Sequence, residues 1–311
     1  MGGGRWSAQD WKSYSARNIL NKSAATGAGG IYSARTMAQH LDPNGVIRES
    51  RDSADNPNST PIMVGLDVTG SMSRVLEAMA RNGLPTLATE IYERQPVSDP
   101  HILFMGIGDA HCDSFPLQAT QFEADIRIAE QLTALYLEQG GGGNGEEGYA
   151  LAWYFADRHT SIDSMEKRGK KGYLFTVGDD GPTSVITKEQ ADRVFGDTIA
   201  EDLDCEQLLK QVSRKYEVFH LCLEEGGSSS PQVTSSWKEL LGERAIPLMD
   251  HTKMGEVIVS LLQVLGGADK RKVAASWDAS TSLVVSKAIS DITVAGGGSD
   301  SDSGSGGLIT F

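Results

Sequence analysis

The pattern of apolar and polar positions changes near residue 62. From there on, short apolar runs alternate with longer stretches in which apolar side chains recur every three or four residues. The segment 62–68 is a continuous apolar run, which is typical of a parallel strand buried on both faces. Similar runs predict strands over 102–107, 117–122, 173–177, 218–223 and 245–249.

The stretches between these runs have helical spacing. It predicts helices over 71–92, 124–137, 149–159, 188–195, 205–216, 231–241 and 257–265. Pro85 must kink the first of these or begin a second helix. Strands and helices that alternate in this way predict βαβ units, and therefore an α/β fold with a doubly wound, mostly parallel sheet and helices on both faces.

The segments on either side of this pattern are different in character. Residues 1–58 are polar and irregular, with helical hints at 7–20 and 33–41, and we interpret them as an N-terminal extension. We expect the α/β domain to cover 61–266 and a C-terminal extension to cover 267–311. Within the latter, 296–307 contains only Gly, Ser and Asp, which is typical of a flexible tether.

Composition excludes several classes of protein. The formal net charge is -14 and no basic patch with interleaved aromatic residues occurs, so we expect no nucleic-acid binding. No apolar run is long enough to span a membrane, and the first residues lack the apolar core of a signal peptide. The three cysteines, Cys112, Cys205 and Cys222, have no metal-binding or redox spacing, which favours a reduced, cytoplasmic protein.

Ligands bind to doubly wound sheets beyond the carboxyl ends of the strands. This rule selects the loops 67–72, 106–113 and 178–183, and the Gly-rich loop 140–148 lies just before a helix that could reach the same edge. In the first loop, Asp67 ends a predicted strand, and Thr69 and Ser71 follow at steps of two. One carboxylate and two hydroxyls are hard oxygen ligands, which suit Mg²⁺ or Mn²⁺ better than Zn²⁺.

These residues resemble the metal-ion-dependent adhesion site of von Willebrand factor A (vWA) domains, which begins with Asp-x-Ser-x-Ser. Asp67-x-Thr69-Gly70-Ser71 is similar to a bacterial variant with Thr in the middle, a type also found in phage-related systems. The similarity covers the alternating pattern from about residue 61 to 266. It implies a Rossmann-like fold and a metal site that binds other molecules without catalysis.

The resemblance also implies ligands from two further loops. Asp179, after the predicted strand 173–177, is similar to the family's Gly-Asp at that position, and the adjacent Asp180 is an alternative. The family's second loop usually supplies Thr, but 140–148 contains none. It is similar to a Gly-Gly-Asp-x-x-Glu loop, which makes Asn144 the candidate ligand and Glu147 a candidate partner outside the first coordination sphere.

Plainer interpretations exist for several of these residues. The first loop could simply cap the following helix, and the glycine run could be only a flexible loop. Asp109 either orients the site from outside or is an ordinary turn aspartate. His111, Cys112 and Asp113 are adjacent and should point apart, so we expect no metal site there. His220 is expected to be a core histidine, and Asp250 to cap the last helix of the domain.

The resemblance implies a partner protein that presents Asp or Glu to the metal. Similar bacterial proteins are often encoded near MoxR-type AAA+ ATPases and serve them as adaptors, so such an ATPase is one expected partner. A structural role, in which the C-terminal tail tethers a second component, is a further alternative.

An enzymatic alternative is a phosphotransferase similar to the haloacid dehalogenases. Asp67 would then be the nucleophile and Asp179 would hold Mg²⁺, with Lys170 or Lys171 as the required lysine. That fold inserts a flap before its first helix, whereas a helix is predicted here directly after Ser71. The Gly-rich loop also has no role in that mechanism.

Overall fold

All six predicted runs form strands, although the run predicted over 117–122 is a strand only at Leu117–Ala119, and several short strands occur that the pattern did not predict. A computed structural model describes residues 4–20, 22, 28–138, 146–225 and 229–293. Its strands are β1 Arg48–Ser50, β2 Thr60–Asp67, β3 Pro100–Ile107, β4 Leu117–Ala119, β5 Glu146–Glu147, β6 Thr160–Ile162, β7 Gly172–Gly178, β8 Gly181–Pro182, β9 Val185–Ile186, β10 Leu203–Asp204, β11 Tyr216–Leu223 and β12 Ala245–Leu248.

The helices of the described residues lie between these strands and at both ends of the chain. They are α1 Ala8–Asn18, α2 Ala28–Ile31, α3 Ser73–Ala78, α4 Leu84–Arg94, α5 Arg127–Thr133, α6 Tyr149–Arg158, α7 Asp163–Arg168, α8 Lys188–Phe195, α9 Cys205–Val212, α10 Pro231–Leu241, α11 Met254–Leu265, α12 Lys270–Ala275 and α13 Ala279–Ala288. None of them has the length and hydrophobicity that a membrane-spanning segment needs.

Six strands form the central sheet in the order β12-β11-β7-β2-β3-β4. All neighbours are parallel except β4, which runs antiparallel to β3 at one edge. The central sheet begins with β2 in the middle. The chain adds β3 and then β4 on one side, and it then returns to add β7, β11 and β12 on the other side. The predicted doubly wound, mostly parallel α/β sheet is therefore confirmed.

Each long strand is buried on both faces. Along β2, Ile62, Val64 and Leu66 belong to one hydrophobic cluster, and Met63 belongs to the other. The first cluster lies under α3, α4, α5 and α11, and the second under α6, α8, α9 and α10. Helices thus cover both faces, which explains why the strands are apolar runs without alternation.

The predicted helix 71–92 is divided near its proline, as expected. A π-helical turn over Met79–Gly83 separates α3 from α4. Pro85 lies in the first turn of α4, where a missing backbone N–H costs little.

The N-terminal segment packs onto the same core as the sheet. Trp6, Ile19 and Tyr32 are buried in the first cluster, and the Tyr32 hydroxyl donates to the Leu76 carbonyl over 3.0 Å. The predicted helix over 7–20 is confirmed as α1. A helix over 33–41 is wrong, because that segment is irregular, with a bend at residues 35–36 and one 3-10 turn at Gln39–Leu41. A tertiary contact anchors it instead: Arg48 Nη2 donates to the His40 carbonyl over 2.6 Å.

Two helices follow residue 266, where the sequence pattern had predicted none. α12 and α13 pack on α11, and Val285, Ile289 and Ile292 are buried in the first cluster. Trp277 Nε1 donates to Ser260 Oγ over 2.8 Å. Short helices rich in Ser, Ala and Lys have weak periodicity and depend on packing for their stability, which is why the pattern missed them. The predicted tether, 296–307, lies outside the described residues.

Candidate metal centre

Asp67 occupies the point at which the winding of the sheet reverses. It ends β2. From β2 the chain winds to β3 on one side, whereas β7, on the other side of β2, is followed by β11 further out on that side. The carboxyl ends of β2 and β7 therefore lie at the position where doubly wound sheets bind their ligands. Asp67 is fully buried, and Asp179 follows the end of the neighbouring strand β7.

The first loop is organised around the carboxylate of Asp67. Its Oδ1 accepts hydrogen bonds from Thr69 N over 2.8 Å and from Thr69 Oγ1 over 2.6 Å. A 3-10 turn over Gly70–Met72 follows, and α3 begins at Ser73. The helix thus starts directly after the loop, as predicted, without an inserted flap.

Ser71 connects the first loop to the third. Thr69 Oγ1 and Ser71 Oγ are 3.5 Å apart, and Ser71 Oγ donates to Asp179 Oδ1 over 3.2 Å. The third loop is fixed through its backbone, because Ser229 Oγ donates to the Asp179 carbonyl and Trp237 Nε1 donates to the Asp180 carbonyl. Four of the residues proposed from the sequence as ligands thus form one continuous row of oxygen atoms: Asp67, Thr69, Ser71 and Asp179.

Tyr149 joins this row, although sequence reasoning did not select it. It is fully buried at the start of α6, and its hydroxyl donates to Asp67 Oδ2 over 3.2 Å. A Cβ at position 178 would lie 1.7 Å from that hydroxyl, so the glycine before Asp179 makes room for the tyrosine. Gly178 was visible in the sequence as part of Gly-Asp, but nothing in the spacing indicated which side chain fills the space beside it.

The second loop is described only from Glu146 onward. Asn144, the predicted ligand from this loop, lies outside the described residues. β5 pairs in parallel with β8, so Glu147 lies opposite Pro182. Gly148 N donates to the Gly108 carbonyl over 3.2 Å, and a Cβ at position 148 would lie 2.6 Å from that oxygen. The end of the Gly-rich loop is thus held against the loops that follow β3 and β7.

Asp109 organises its own loop. Its Oδ1 accepts from His111 N over 2.7 Å, its Oδ2 accepts from Cys112 Sγ over 3.2 Å, and its backbone N–H donates to Asp113 Oδ2. These contacts are those of a turn aspartate, one of the two interpretations of this residue. Its negative charge nevertheless acts on Glu147 and Asp180.

The electrostatics of the site are dominated by buried acids. Burial raises the pKa of Asp67 to about 7, against the hydrogen bonds from Thr69, and the charge of Asp179 raises it further. Burial raises the pKa of Glu147 to about 9, with contributions from Asp67, Asp109, Asp113 and Asp180. Burial also raises the pKa values of Asp179 and Asp180. The charged groups that act most strongly on Glu147 are all acids.

These residues fit a hard divalent cation. They offer carboxylate and hydroxyl oxygens, which are the ligands that Mg²⁺ and Mn²⁺ prefer. In addition, Glu147 Oε2 is buried without a hydrogen-bond partner among the described residues. A buried carboxylate surrounded by other acids is costly, and a cation would remove that cost.

The lysines that a phosphotransferase would need lie at the amino ends of the parallel strands, opposite the carboxyl ends where Asp67 lies. Lys170 and Lys171 precede the start of β7, whereas Asp67 ends β2, and the two strands are parallel. Leu66 is paired with Val177, six residues beyond Lys171, which places the lysine about 20 Å away along the strand. Lys171 instead pairs with Glu217 over 3.1 Å. Neither lysine can therefore serve Asp67.

His220 has the structural role predicted for it, whereas Asp250 caps a 3-10 turn and not the helix for which it was predicted. His220 is buried, its Nδ1 lies 2.8 Å from Thr176 Oγ1, and its ring stacks on Trp237 at 3.6 Å. Asp250 caps the turn that leads into α11, because its Oδ1 accepts from Thr252 N.

Comparison with known proteins gives matches among solved structures alone, since no family model and no curated protein matches the chain. One match is the pilus adhesin SpaC from Lactobacillus rhamnosus GG in an open conformation, with 12% identity and a TM-score of 0.44 over 72% of this chain and 31% of that chain. A second structure of the same adhesin gives 10% identity and a TM-score of 0.43. A von Willebrand factor type A protein from Catenulispora acidiphila gives 12% identity and a TM-score of 0.36 over 66% of this chain and 42% of that chain. The chain matches less than half the length of each of these structures.

Proposed function

We propose that this protein is a metal-dependent protein-binding module of the vWA type, and that it has no catalytic role. Asp67, Thr69, Ser71 and Asp179 would hold Mg²⁺ or Mn²⁺, with Glu147, Asp109 and Asp180 around them. The observation that carries the proposal is the continuous row of oxygen atoms from Asp67 to Asp179 at the reversal point of the sheet. The Asp-x-Thr-Gly-Ser motif and the doubly wound sheet support it.

Binding of a partner follows from the number of donors. Mg²⁺ takes six oxygen ligands, so four from the protein leave two positions for water or an incoming group. When bound, the cation would attract a carboxylate of the partner and accept it as a ligand. Asp67 and Thr69 are buried and hydrogen-bonded to each other, which keeps the donors in place before a partner arrives.

The nature of the partner follows from the same chemistry. We propose a protein that presents Asp or Glu, and an AAA+ ATPase of the MoxR type is one such partner. The positions of Lys170 and Lys171 count against the phosphotransferase alternative, because catalysis there would need a lysine beside Asp67.

Thermal unfolding with and without a cation tests the proposal. Mg²⁺ or Mn²⁺ should raise the melting temperature of the wild-type protein relative to EDTA, because a ligand that binds the native state stabilises it. Asp67→Asn should remain folded and lose this response. Asp278→Asn is a matched control, since Asp278 accepts from the N–H and hydroxyl of Ser280 as Asp67 does from Thr69, but lies before α13. A wild-type melting curve that is unchanged by cations would exclude the metal site.

The partner can be sought with the same pair of proteins. A protein captured from the host by the wild-type chain in Mg²⁺, and lost both in EDTA and with Asp67→Asn, would support metal-dependent binding. Formation of a beryllium fluoride adduct on Asp67, or turnover of a phosphate ester, would instead favour the phosphotransferase.

A further inference from the structure

A cavity of about 530 Å³ opens at the amino ends of the parallel strands, whereas Asp67 lies at their carboxyl ends. Its walls come from the residues around the starts of β2 and β7 and from the loop that leads into β3. Small-molecule sites usually have volumes of about 300–1,000 Å³. The cavity is therefore large enough for a small organic ligand, and it is separate from the proposed metal centre.

The charge of this cavity is opposite to that of the chain, whose formal net charge is -14. Three cations and one carboxylate line it: Arg168, Lys170, Lys171 and Glu217. Glu217 pairs with Lys171 over 3.1 Å and also with Arg244. Its negative charge is already balanced by these partners, so the cavity keeps an excess of positive charge.

Lys170 is the cation of this group that has no counterpart. Arg168 pairs with Asp52 over 2.5 Å, and Lys171 has Glu217. Lys170 is exposed and makes no ion pair within the part of the chain that the structure describes. An ammonium group that lies close to two other cations, without a carboxylate of its own, attracts an anion.

Ser164 adds a hydroxyl to the wall of the cavity. It is 2% exposed, and its Oγ has no hydrogen-bond partner among the described residues. Its carbonyl accepts from Lys170 N over 2.8 Å, so the backbone holds the serine and the lysine next to each other. Buried hydroxyls normally have a partner. This one is therefore a spare donor for an oxygen atom of a ligand.

The loop that leads into β3 holds one wall of the cavity in a fixed shape. Both ends of the loop have left-handed backbones without glycine, since φ is 48° at Gln95 and 37° at Asp99. Such conformations persist where other contacts maintain them. Here Asp99 Oδ2 accepts from Asn58 N over 2.8 Å, and Ser98 Oγ donates to the Asn58 carbonyl over 3.1 Å. The cavity is thus formed before a ligand arrives.

We propose that this cavity binds a small molecule that carries a phosphate group. Lys170 and Ser164 would bind the phosphate, because ammonium and hydroxyl groups donate strong hydrogen bonds to its oxygen atoms. A phosphate carries about two negative charges at neutral pH and so gains more from the cluster of cations than a carboxylate would. Pro96, Val97 and Tyr173 offer an apolar wall for the rest of the molecule. The inference does not depend on the metal centre.

Calorimetry with adenosine monophosphate (AMP) as the probe tests this site, in EDTA so that no cation contributes. The wild type should bind AMP and inorganic phosphate, but not adenosine. Lys170→Ala should weaken AMP binding by about 10–100-fold, which is the contribution of a hydrogen bond to a charged group. Ser164→Ala should weaken it by about 2–10-fold. The second variant should melt no earlier than the wild type, because the hydroxyl that it removes has no partner.

Lys188→Ala is the matched control. Lys188 is also exposed, and it lines a cleft of about 360 Å³, but the other charged residues of that cleft are Glu189, Asp192 and Asp197. An anion has no reason to bind there. This variant should bind AMP as the wild type does.

Four results would overturn the proposal. The first is a wild type that does not bind AMP, and the second is adenosine that binds as tightly as AMP. Equal weakening in Lys170→Ala and Lys188→Ala would show that AMP responds only to the overall charge. Binding of AMP that requires Mg²⁺ would place the phosphate at the metal centre instead.

Discussion

The hydroxyl of Tyr149 donates to Oδ2 of Asp67 over 3.2 Å, while Thr69 occupies Oδ1 of the same carboxylate. Asp67 is therefore held at one oxygen by the first loop and at the other by the first residue of α6. This arrangement fixes the orientation of the carboxylate at the end of β2 and connects the Gly-rich loop to the first loop of the site.

Tyr149→Phe should destabilise the cation-free protein by about 1–3 kcal/mol, because it removes a hydrogen bond to a buried acid. Urea unfolding in EDTA measures this change. Tyr216→Phe is a suitable comparison, since Tyr216 is equally buried but its hydroxyl lies 2.8 Å from the neutral Thr160. Cation affinity should fall in Tyr149→Phe and stay unchanged in Tyr216→Phe. Equal affinities in both variants would show that the tyrosine does not orient Asp67.

Gly178→Ala should disturb the site from the opposite side. The added Cβ would lie 1.7 Å from the Tyr149 hydroxyl, so the ring has to move away from Asp67. We expect a loss of about 1–3 kcal/mol or more in the free energy of unfolding, together with weaker cation binding. Gly29→Ala is the control, because a Cβ there meets nothing within 4 Å. A Gly178→Ala protein as stable as Gly29→Ala would contradict the close approach of Tyr149.

The cation-free protein should lose stability as the pH rises. The pKa values of Asp67 and Glu147 are raised from 3.8 to about 7 and from 4.5 to about 9, so over these intervals the folded protein retains protons that the unfolded chain releases. Stability is then highest near the unfolded values and falls through the folded ones. Urea unfolding in EDTA at about pH 5, 7 and 9 should show this decline.

The same measurement on variants assigns the decline to each residue. Asp67→Asn should flatten the curve up to about pH 7, and Glu147→Gln should flatten it up to about pH 9. Cation affinity of the wild type should rise over the same interval, because cation and protons compete for the carboxylates. Stability that increases from about pH 5 to 9 in EDTA would contradict the burial of these acids.

The helices after residue 266 should unfold together with the sheet. Ile289 is 1% exposed against the first hydrophobic cluster, so Ile289→Ala should cost about 2–5 kcal/mol in a single cooperative transition. Leu283, in the same part of the chain, is 76% exposed, and Leu283→Ala should change stability very little. Two separate transitions, or equal effects of the two variants, would show that α12 and α13 are an independent unit.

The sequence determined the sheet because its strands are buried on both faces. Runs such as 62–68 must be apolar throughout when helices cover both faces of the sheet. Such a run can be recognised from a few consecutive residues. The bounds of α8 and α10 match the segments 188–195 and 231–241, which were predicted from helical spacing. The segments 33–41 and 267–293 were misjudged because their conformation depends on contacts with distant residues.

The first loop and Asp179 could also be selected from the sequence. Asp67, Thr69 and Ser71 are close along the chain, and parallel strands bring their carboxyl ends to one edge, so Asp179 could be placed beside them without a structure. That these residues bind a metal remains a prediction, made from the motif and from the position of the strand ends.

The tertiary structure alone decided the surroundings of these oxygens. The hydrogen bond from Tyr149 to Asp67 and the burial of Glu147 among acids join residues that are distant in the sequence. They depend on how α6 and the β5–β8 pair pack beside the loops that follow β2 and β3, and the local sequence does not determine such contacts. Sequence spacing thus selected Asp67, Thr69, Ser71 and Asp179 as candidates, and packing determined their burial and electrostatics.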